Sequence, residues 1–277
     1  MHNAALQALD RNWKYLAFDV LPENLRDAIV GARALRLIGL NLTVPHKLLA
    51  VEMVDCLDES AQLWGAVNTI SFETRTPEGP WVPLGQCEDS GVSAIRSKGF
   101  NTDADAIIRS LREDLGIEVK QASILLLGAG GAGRVAALKL AAEGASALYL
   151  VNRTVDRAAK LATEIQRRYP RAQVHLGYPD QGAVDLVLNA TSLGLKTEDS
   201  LPLDRSRFSF ARTDAVYDMI YRPAETPLLE AARNAGCKTA NGLGMLLYQG
   251  AKALEIWTGL PAPVTLMKSA LHEAVYG

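Results

Sequence analysis

The stretch "ASILLLGAGGAGRVAALKLAA" constrains the fold more than any other part of the chain. An apolar strand runs straight into Gly128, Gly130 and Gly133, in G-x-G-x-x-G spacing, and a helix opens behind them. Each glycine has its own reason. The first permits a tight turn, the second lets backbone approach a pyrophosphate, and the third lets helix and strand pack closely. The helix N-terminus adds free N–H groups and a positive dipole end. A glycine turn of no function is the competing reading. Arg134, Lys139 and the glycines interrupt the apolar run, so it is no membrane span.

The next strand, "ALYLV", ends at Asn152-Arg153-Thr154. A protein built for NAD usually places Asp or Glu here for the ribose hydroxyl. A neutral Asn followed by Arg and Thr suits a 2′-phosphate, which a guanidinium meets with a charge-assisted hydrogen bond. Arg157, one turn into the following helix, adds a second guanidinium. A merely solvated Arg153 is the alternative. The cofactor predicted is NADP.

With 277 residues, 48% apolar and 22% charged, the chain can bury the core of one large domain or two ordinary ones. Its net charge of −2 gives no electrostatic reason to expect nucleic acid or an anionic membrane as partner. Cys56, Cys87 and Cys237 lie far apart with no C-x-x-C spacing. That pattern fits reduced thiols in a cytoplasmic protein, with neither a disulfide framework nor a metal site. The opening "MHNAALQALDRNWKYL" carries charge early and lacks the apolar region of a signal peptide.

Residues 3–11 read as a helix remnant, "YLAFDV" as a strand, "ENLRDAIVGARAL" as a helix and "IGLNLTV" as a strand. A helix is predicted from Lys47 to about Trp64, then a strand in "GAVNTISFE". This alternation implies a mostly parallel sheet. Residues 74–99, rich in proline and glycine, read as a loop or excursion. A helix from Asp105 to Leu115 leads into a second series, with strands at about 123–127, 147–151, 185–189 and 214–218. Helices from Leu243 to Trp257 and over 264–275 finish the chain. The fold class predicted is α/β in two domains. An open domain of residues 1–104 is completed by 245–277, and a Rossmann-type doubly wound domain spans 105–244.

Lys47 stands behind Pro45 at a strand-to-helix junction. Position alone suggests a solvated lysine. A nicotinamide enzyme that reduces a ketone, however, must protonate an oxygen that turns negative as hydride arrives, and Lys47 offers both proton and charge. The carboxylate to orient it is Asp103 in "GFNTDADAI", where helix capping by Asn101, Thr102 or Asp103 is an equally good reading. The two roles are compatible.

"GLNLTVPHK", "GAVNTI", "NTD", "GAGGAG", "NRT", "NATSLG", "YDMIYRPAETPLL" and "NGLGMLLYQGAKALEIWTG" occur in one order over nearly the whole chain. That series resembles the shikimate dehydrogenase family. The resemblance implies two α/β domains around a deep groove, with Lys47 and Asp103 as catalytic pair. It implies Thr43, Asn68, Asp103, Tyr221 and Gln249 around shikimate or 3-dehydroshikimate. It also implies Gly128, Ala129, Gly130, Gly131 and Ala132 on the pyrophosphate, and Asn152, Arg153, Thr154 and Arg157 on the phosphorylated ribose. Met219 and Gly242 would lie beside the nicotinamide. Blander readings stand beside these: Asn68 as a strand end, Tyr221 as a packed turn residue, and Glu59 as a solvated helix carboxylate. A homodimer remains open.

Two departures from the family pattern stand out. The Ser-x-Ser-Pro segment and first strand that precede "HN" in the family are absent from "MHNAAL". Either the start is assigned too late or the chain lacks them; if it lacks them, two hydrogen bonds to the substrate carboxylate are lost, at roughly 1.5–3 kcal/mol each. The other departure is the long segment between Asn68 and Asn101, with Ala104 where the family commonly has Gly. It reads as a surface loop, a lid or an oligomer contact.

Three readings of function compete. The first is NADP-dependent interconversion of 3-dehydroshikimate and shikimate, or the same chemistry on quinate or an aminoshikimate. Another is a short-chain dehydrogenase mechanism on Tyr248 and Lys252, which form Y-x-x-x-K. The third is a non-catalytic NADP-binding module.

Overall fold

The computed structural model describes all residues except 76–78, 88–93 and 197. The chain forms two compact units. Unit 1 comprises Met1–Asp103 with Leu247–Val275 and Gly277; unit 2 comprises Ala104–Leu246 with Tyr276.

Unit 1 begins with helices α1 (His2–Ala8) and α2 (Leu25–Ala34), strand β1 (Gly39–Asn41) and a single-turn helix α3 (His46–Leu49). Strand β2 (Cys56–Leu57), helix α4 (Glu59–Trp64) and strands β3 (Thr69–Arg75), β4 (Val82–Pro83) and β5 (Ala94–Phe100) follow. In α2 the buried residues Leu25, Ile29 and Ala32 recur at helical spacing and face a core built on Val67, Ile70 and Phe72. The sheet order is β1-β3-β5-β2, with β4 also on β3.

Four sequence expectations fail in this unit. The sheet is not mostly parallel, because β3 pairs antiparallel with β1, β4 and β5, and only β2 with β5 is parallel. Among the described residues no crossover helix separates β3 from β5, and strands joined without one pair antiparallel. Within the expected loop 74–99, "AIRSKGF" is therefore a full strand, while residues 76–78 and 88–93 of that segment lie outside the described residues.

The expected helix from Lys47 to Trp64 is broken into α3, a 3₁₀ turn at Ala50–Glu52, β2 and α4. The break has two visible causes. Asp55 accepts hydrogen bonds from Ser97 N at 2.7 Å and Ser97 Oγ at 2.8 Å, which draws the chain alongside β5. Asp58 then caps α4 by accepting from Ser60 N at 3.0 Å.

"YLAFDV" forms no strand, and Leu16 and Phe18 stand 65% and 70% exposed. It has strand composition but no pairing strand among the described residues, and strand propensity without a ladder fixes nothing.

Helix α5 (Asp103–Leu115) carries the chain into unit 2. There follow β6 (Ser123–Leu127), α6 (Gly131–Ala142), β7 (Ala147–Val151), α7 (Val155–Arg168), β8 (Gln173–Leu176) and β9 (Val184–Asn189). After them come β10 (Thr213–Asp218), α8 (Pro227–Asn234), β11 (Lys238–Asn241), α9 (Leu243–Thr258) and α10 (Val264–Tyr276). Six parallel strands run in the order β11-β10-β9-β6-β7-β8. The four predicted strands are all present. The two edge strands, β8 and β11, were not anticipated, since "QVHL" and "KTAN" are short and half polar. Ile124 to Leu127 are all buried, as a central parallel strand covered on both faces requires. Strand order reverses between β6 and β9, and ligands of such sheets bind where the order reverses.

The segments that return to unit 1 complete its core. In α9, Trp257 Nε1 donates to Ile70 O of β3 at 3.0 Å. His2 stacks on Tyr15 with ring centroids 4.2 Å apart, and its Nε2 bonds to Gly250 O at 3.1 Å. A carbonyl only accepts, so Nε2 carries the proton. Burial lowers the His2 pKa from 6.5 to about 4, against the raising effect of the Gly250 hydrogen bond. Folding thus favours the neutral ring. Its contribution is complete above the unfolded pKa and drains away as pH falls from 6.5 toward 4. Urea unfolding of wild type and His2→Phe across that window should show the wild type losing up to about 3 kcal/mol more on acidification. Parallel pH profiles would contradict the assignment.

Candidate active site

Lys47 lies in the single turn of α3, behind a cis Val44–Pro45 bond, and its Nζ donates to Asp103 Oδ2 at 2.7 Å. The Asp103 side chain is only 9% exposed and that of Lys47 28%. A carboxylate so buried needs fixed donors. Its other oxygen, Oδ1, accepts from Asn68 Nδ2 at 2.9 Å.

Asn68 is the hub of this cluster. Its Nδ2 also faces Thr102 Oγ1 at 2.9 Å and Gln249 Oε1 at 3.3 Å, so two N–H bonds serve three acceptors. Its Oδ1 accepts from Thr102 N at 2.8 Å. Predicted residues Lys47, Asn68, Asp103 and Gln249 are thus one hydrogen-bonded group, all within unit 1. Thr43 is exposed on the approach to α3, and its carbonyl accepts from His46 N at 2.9 Å.

In unit 2 the glycine loop divides its labour as the sequence suggests. Gly128 has φ +104, and a Cβ there would press on the Ala190 backbone at 3.0 Å. A Cβ at Gly133 would collide with Gly128 O. Gly130 and Gly131, by contrast, face open space and are exposed with Ala132. No side chain caps α6 and no acid stands in its first turn, so the loop fits a dinucleotide pyrophosphate.

Asn152 serves the loop from beneath. Its Oδ1 accepts from Ala129 N at 2.9 Å and its Nδ2 donates to Thr154 O at 2.8 Å. Beyond it Arg153, Thr154 and Arg157 are exposed, and neither arginine has an ion-pair partner among the described residues. Arg134, next to the third glycine, is instead held by Glu164 at 2.6 Å. That hydrogen bond is the main reason the Glu164 carboxyl lies below its ordinary range.

The strand ends opposite the loop are knit by residues the sequence reading left without roles. Asp218 Oδ1 accepts from Asn189 Nδ2 at 2.9 Å and Ile220 N at 3.0 Å, and Oδ2 from Thr226 Oγ1 at 2.7 Å. Burial pushes this carboxyl up, with those three donors opposing. The signal was present: "VDLVLN" and "DAVYD" are apolar strands that each end on a buried polar residue. Just past Asp218, Met219 and Gly242 meet, since a Cβ on Gly242 would strike the Met219 carbonyl. Tyr221 is 38% exposed, and its carbonyl accepts from Tyr276 Oη at 2.5 Å.

Three residues of the dyad cluster were also missed: Asn41, Thr69 and Thr102, the last two buried. Glu59 is exposed, as its solvated reading expects. In the Y-x-x-x-K pair, Tyr248 is buried while the Lys252 side chain is 57% exposed and faces Glu255 at 3.7 Å.

A parallel sheet with a glycine loop at its strand-order reversal defines a Rossmann-type dinucleotide-binding protein. Three family profiles match the chain. They are the shikimate dehydrogenase substrate binding domain over residues 1–70, shikimate / quinate 5-dehydrogenase over 110–192, and the shikimate 5'-dehydrogenase C-terminal domain over 242–272. The NADP(+) shikimate dehydrogenase of Moorella thermoacetica is 42% identical, covering 99% of this chain and 88% of its own length. That of Methanopyrus kandleri is 39% identical over 99% and 89%. The Thermus thermophilus shikimate 5-dehydrogenase, solved with NADP(H) and shikimate, superposes with a TM-score of 0.80 at 33% identity, covering 99% of this chain and 92% of that one. The chain belongs to the shikimate dehydrogenase family.

The two kinds of glycine should separate on substitution. Gly133→Ala is expected to cost about 1–3 kcal/mol of stability, because the loop must shift to admit the methyl group. Gly130→Ala should melt within about 2 °C of wild type yet bind dinucleotide at least tenfold more weakly in a titration. Equal affinity would show that nothing approaches that backbone.

Proposed function

We propose that the chain catalyses the NADP-dependent, reversible reduction of 3-dehydroshikimate to shikimate. The substrate domain, expected as residues 1–104 with 245–277, corresponds to unit 1, and the NADP domain, expected as 105–244, to unit 2. The observation that carries the reading is the 2.7 Å bond from Lys47 Nζ to Asp103 Oδ2.

Bound NADPH supplies the hydride. The chain's part is acid–base and orientation. As the substrate carbonyl gains hydride its oxygen becomes negative, and Lys47 Nζ donates a proton to it. Asp103 aims the ammonium and balances its charge. In the reverse direction Lys47 takes the hydroxyl proton. Asn68 and Gln249 hold a substrate hydroxyl best by admitting it into their mutual contact, a long bond of 3.3 Å. A carboxamide pair offers both donor and acceptor to it. Thr43 and Tyr221, both exposed, are the further substrate contacts.

Arg153 and Arg157 support NADP over NAD, since among the described residues neither is neutralised by a carboxylate and no acid follows β7 directly. Met219 and Gly242 would lie beside the nicotinamide, as the family resemblance implies. Quinate or an aminoshikimate is the alternative substrate, as the shikimate / quinate match over residues 110–192 suggests. Cysteine usage favours a cytoplasmic home. Among the described residues, no helix is long and apolar enough to cross a membrane.

The test is absorbance at the NADPH band with shikimate and NADP, against NAD and against quinate. Turnover is expected with the first pair. Lys47→Met should lower kcat by about 10²–10⁴-fold. Arg153→Ala should weaken NADP binding by roughly tenfold or more, leaving NAD binding unchanged. NADPH bound without turnover on any of these acids would favour the non-catalytic module.

A further inference from the structure

The cluster around Asp103 extends well beyond the dyad, and its hydrogen bonds run in one direction. Asn41 Nδ2 faces the Asn68 carbonyl at 3.4 Å and Thr69 Oγ1 at 3.0 Å. A carbonyl accepts only, so the Asn41 amide cannot be turned over. Its Oδ1 is then an acceptor, and Tyr15 Oη must donate to it, at 2.9 Å. Thr69 Oγ1, accepting from Asn41, sends its own proton onward to Asn68 Oδ1 at 3.3 Å or Thr102 Oγ1 at 3.4 Å. Asn68 is fixed in the same way, because the Thr102 backbone N–H can only donate to Oδ1. Its amino group is left to meet Asp103. Two backbone groups thus set both amide orientations, and every donor in the series points toward the carboxylate.

We infer that Tyr15 is a positioning residue for the dyad, acting through Asn41, Thr69 and Asn68 to hold Asp103 Oδ1 so that Oδ2 is presented to Lys47. This rests on the dehydrogenase reading for its catalytic meaning, but not for its geometry. Tyr15 is placed for the task with unusual care for a residue outside any helix or strand. Asn3 Oδ1 accepts from its backbone N at 2.8 Å and Asn3 Nδ2 donates to its carbonyl at 3.0 Å. His2 stacks on its ring, with an angle of 9° between the planes. Burial raises the phenol pKa, so the hydroxyl remains a donor. Hydrogen bonds in series polarise one another, and a line of donors ending on a carboxylate is the arrangement that gains most.

The test uses the full chain with Tyr15→Phe, Thr69→Val and Thr69→Ser. Phe keeps the stacked ring and Val keeps the shape of Thr, so each removes a hydroxyl alone. The first readout is solvent exchange of the Asn68 side-chain amide protons by ¹⁵N NMR, which needs no substrate. Exchange should quicken in Tyr15→Phe and Thr69→Val and stay slow in Thr69→Ser. Unchanged exchange in the first two overturns the inference. The second readout is kcat with shikimate and NADP. Each hydroxyl deletion should lower it by roughly tenfold with the KM for NADP unchanged, and the double variant should be no worse than Thr69→Val. Additive losses would mean two unrelated structural defects and would also overturn it. A wild type with no turnover condemns the proposed function instead, and the exchange rates then decide this inference alone.

Discussion

A carboxylate with nine-tenths of its side chain out of water has to be met by fixed charge and fixed dipoles, or the fold cannot hold it ionised. Asp103, at the start of α5, meets partners from two distant stretches of chain: Lys47 from a single helical turn and Asn68 from the approach to β3. The irregularities of unit 1 serve this meeting. Antiparallel pairing of β3 with β5 sets Thr69 opposite Phe100, which brings the two Asn-Thr pairs, Asn68-Thr69 and Asn101-Thr102, side by side. The Thr102 backbone N–H then fixes the amide of Asn68. A parallel arrangement in the same register would not bring these strand ends together.

Unit 2 solves the opposite problem. Its loop is built to leave space. Gly128 and Gly133 are glycines because the protein itself fills their surroundings, whereas Gly130 and Gly131 are glycines although nothing of the protein comes near. A chain has no packing reason to omit a side chain in open space. In a loop that opens a helix after a parallel strand, the omission suits a pyrophosphate that arrives later. Asn152 belongs to both sides of this division, since it ties down Ala129 N while the arginines beyond it stay unengaged.

Legibility from sequence followed the range of the forces involved. The βαβ series of unit 2 was readable because its central strands are buried over most of their length and so are largely apolar. Its edge strands β8 and β11 were not, since half-polar tetrapeptides acquire their structure from a neighbour. In unit 1 the helical reading of residues 47–64 failed where Ser97 captured Asp55, a contact that no local pattern announces. The dyad and its Asn68 and Gln249 partners were legible through motif order rather than periodicity. Asn41, Thr69 and Tyr15 went unread because their meaning lies in direction: which atom donates is settled only when the backbone groups beside them are in place.

The two units are also unequal in how they are written along the chain. Apart from Tyr276, unit 2 is one uninterrupted stretch, while unit 1 is made from both ends. During synthesis the nucleotide unit therefore has its whole sequence available before the first unit does, and domains emerging from the ribosome fold largely as units. Until α9 appears, Ile70 lacks the indole that donates to its carbonyl, Asn68 lacks Gln249, and His2 lacks the Gly250 carbonyl. The hydrogen-bonded cluster around Asp103 is thus closed only after the long stretch of unit 2 has been made.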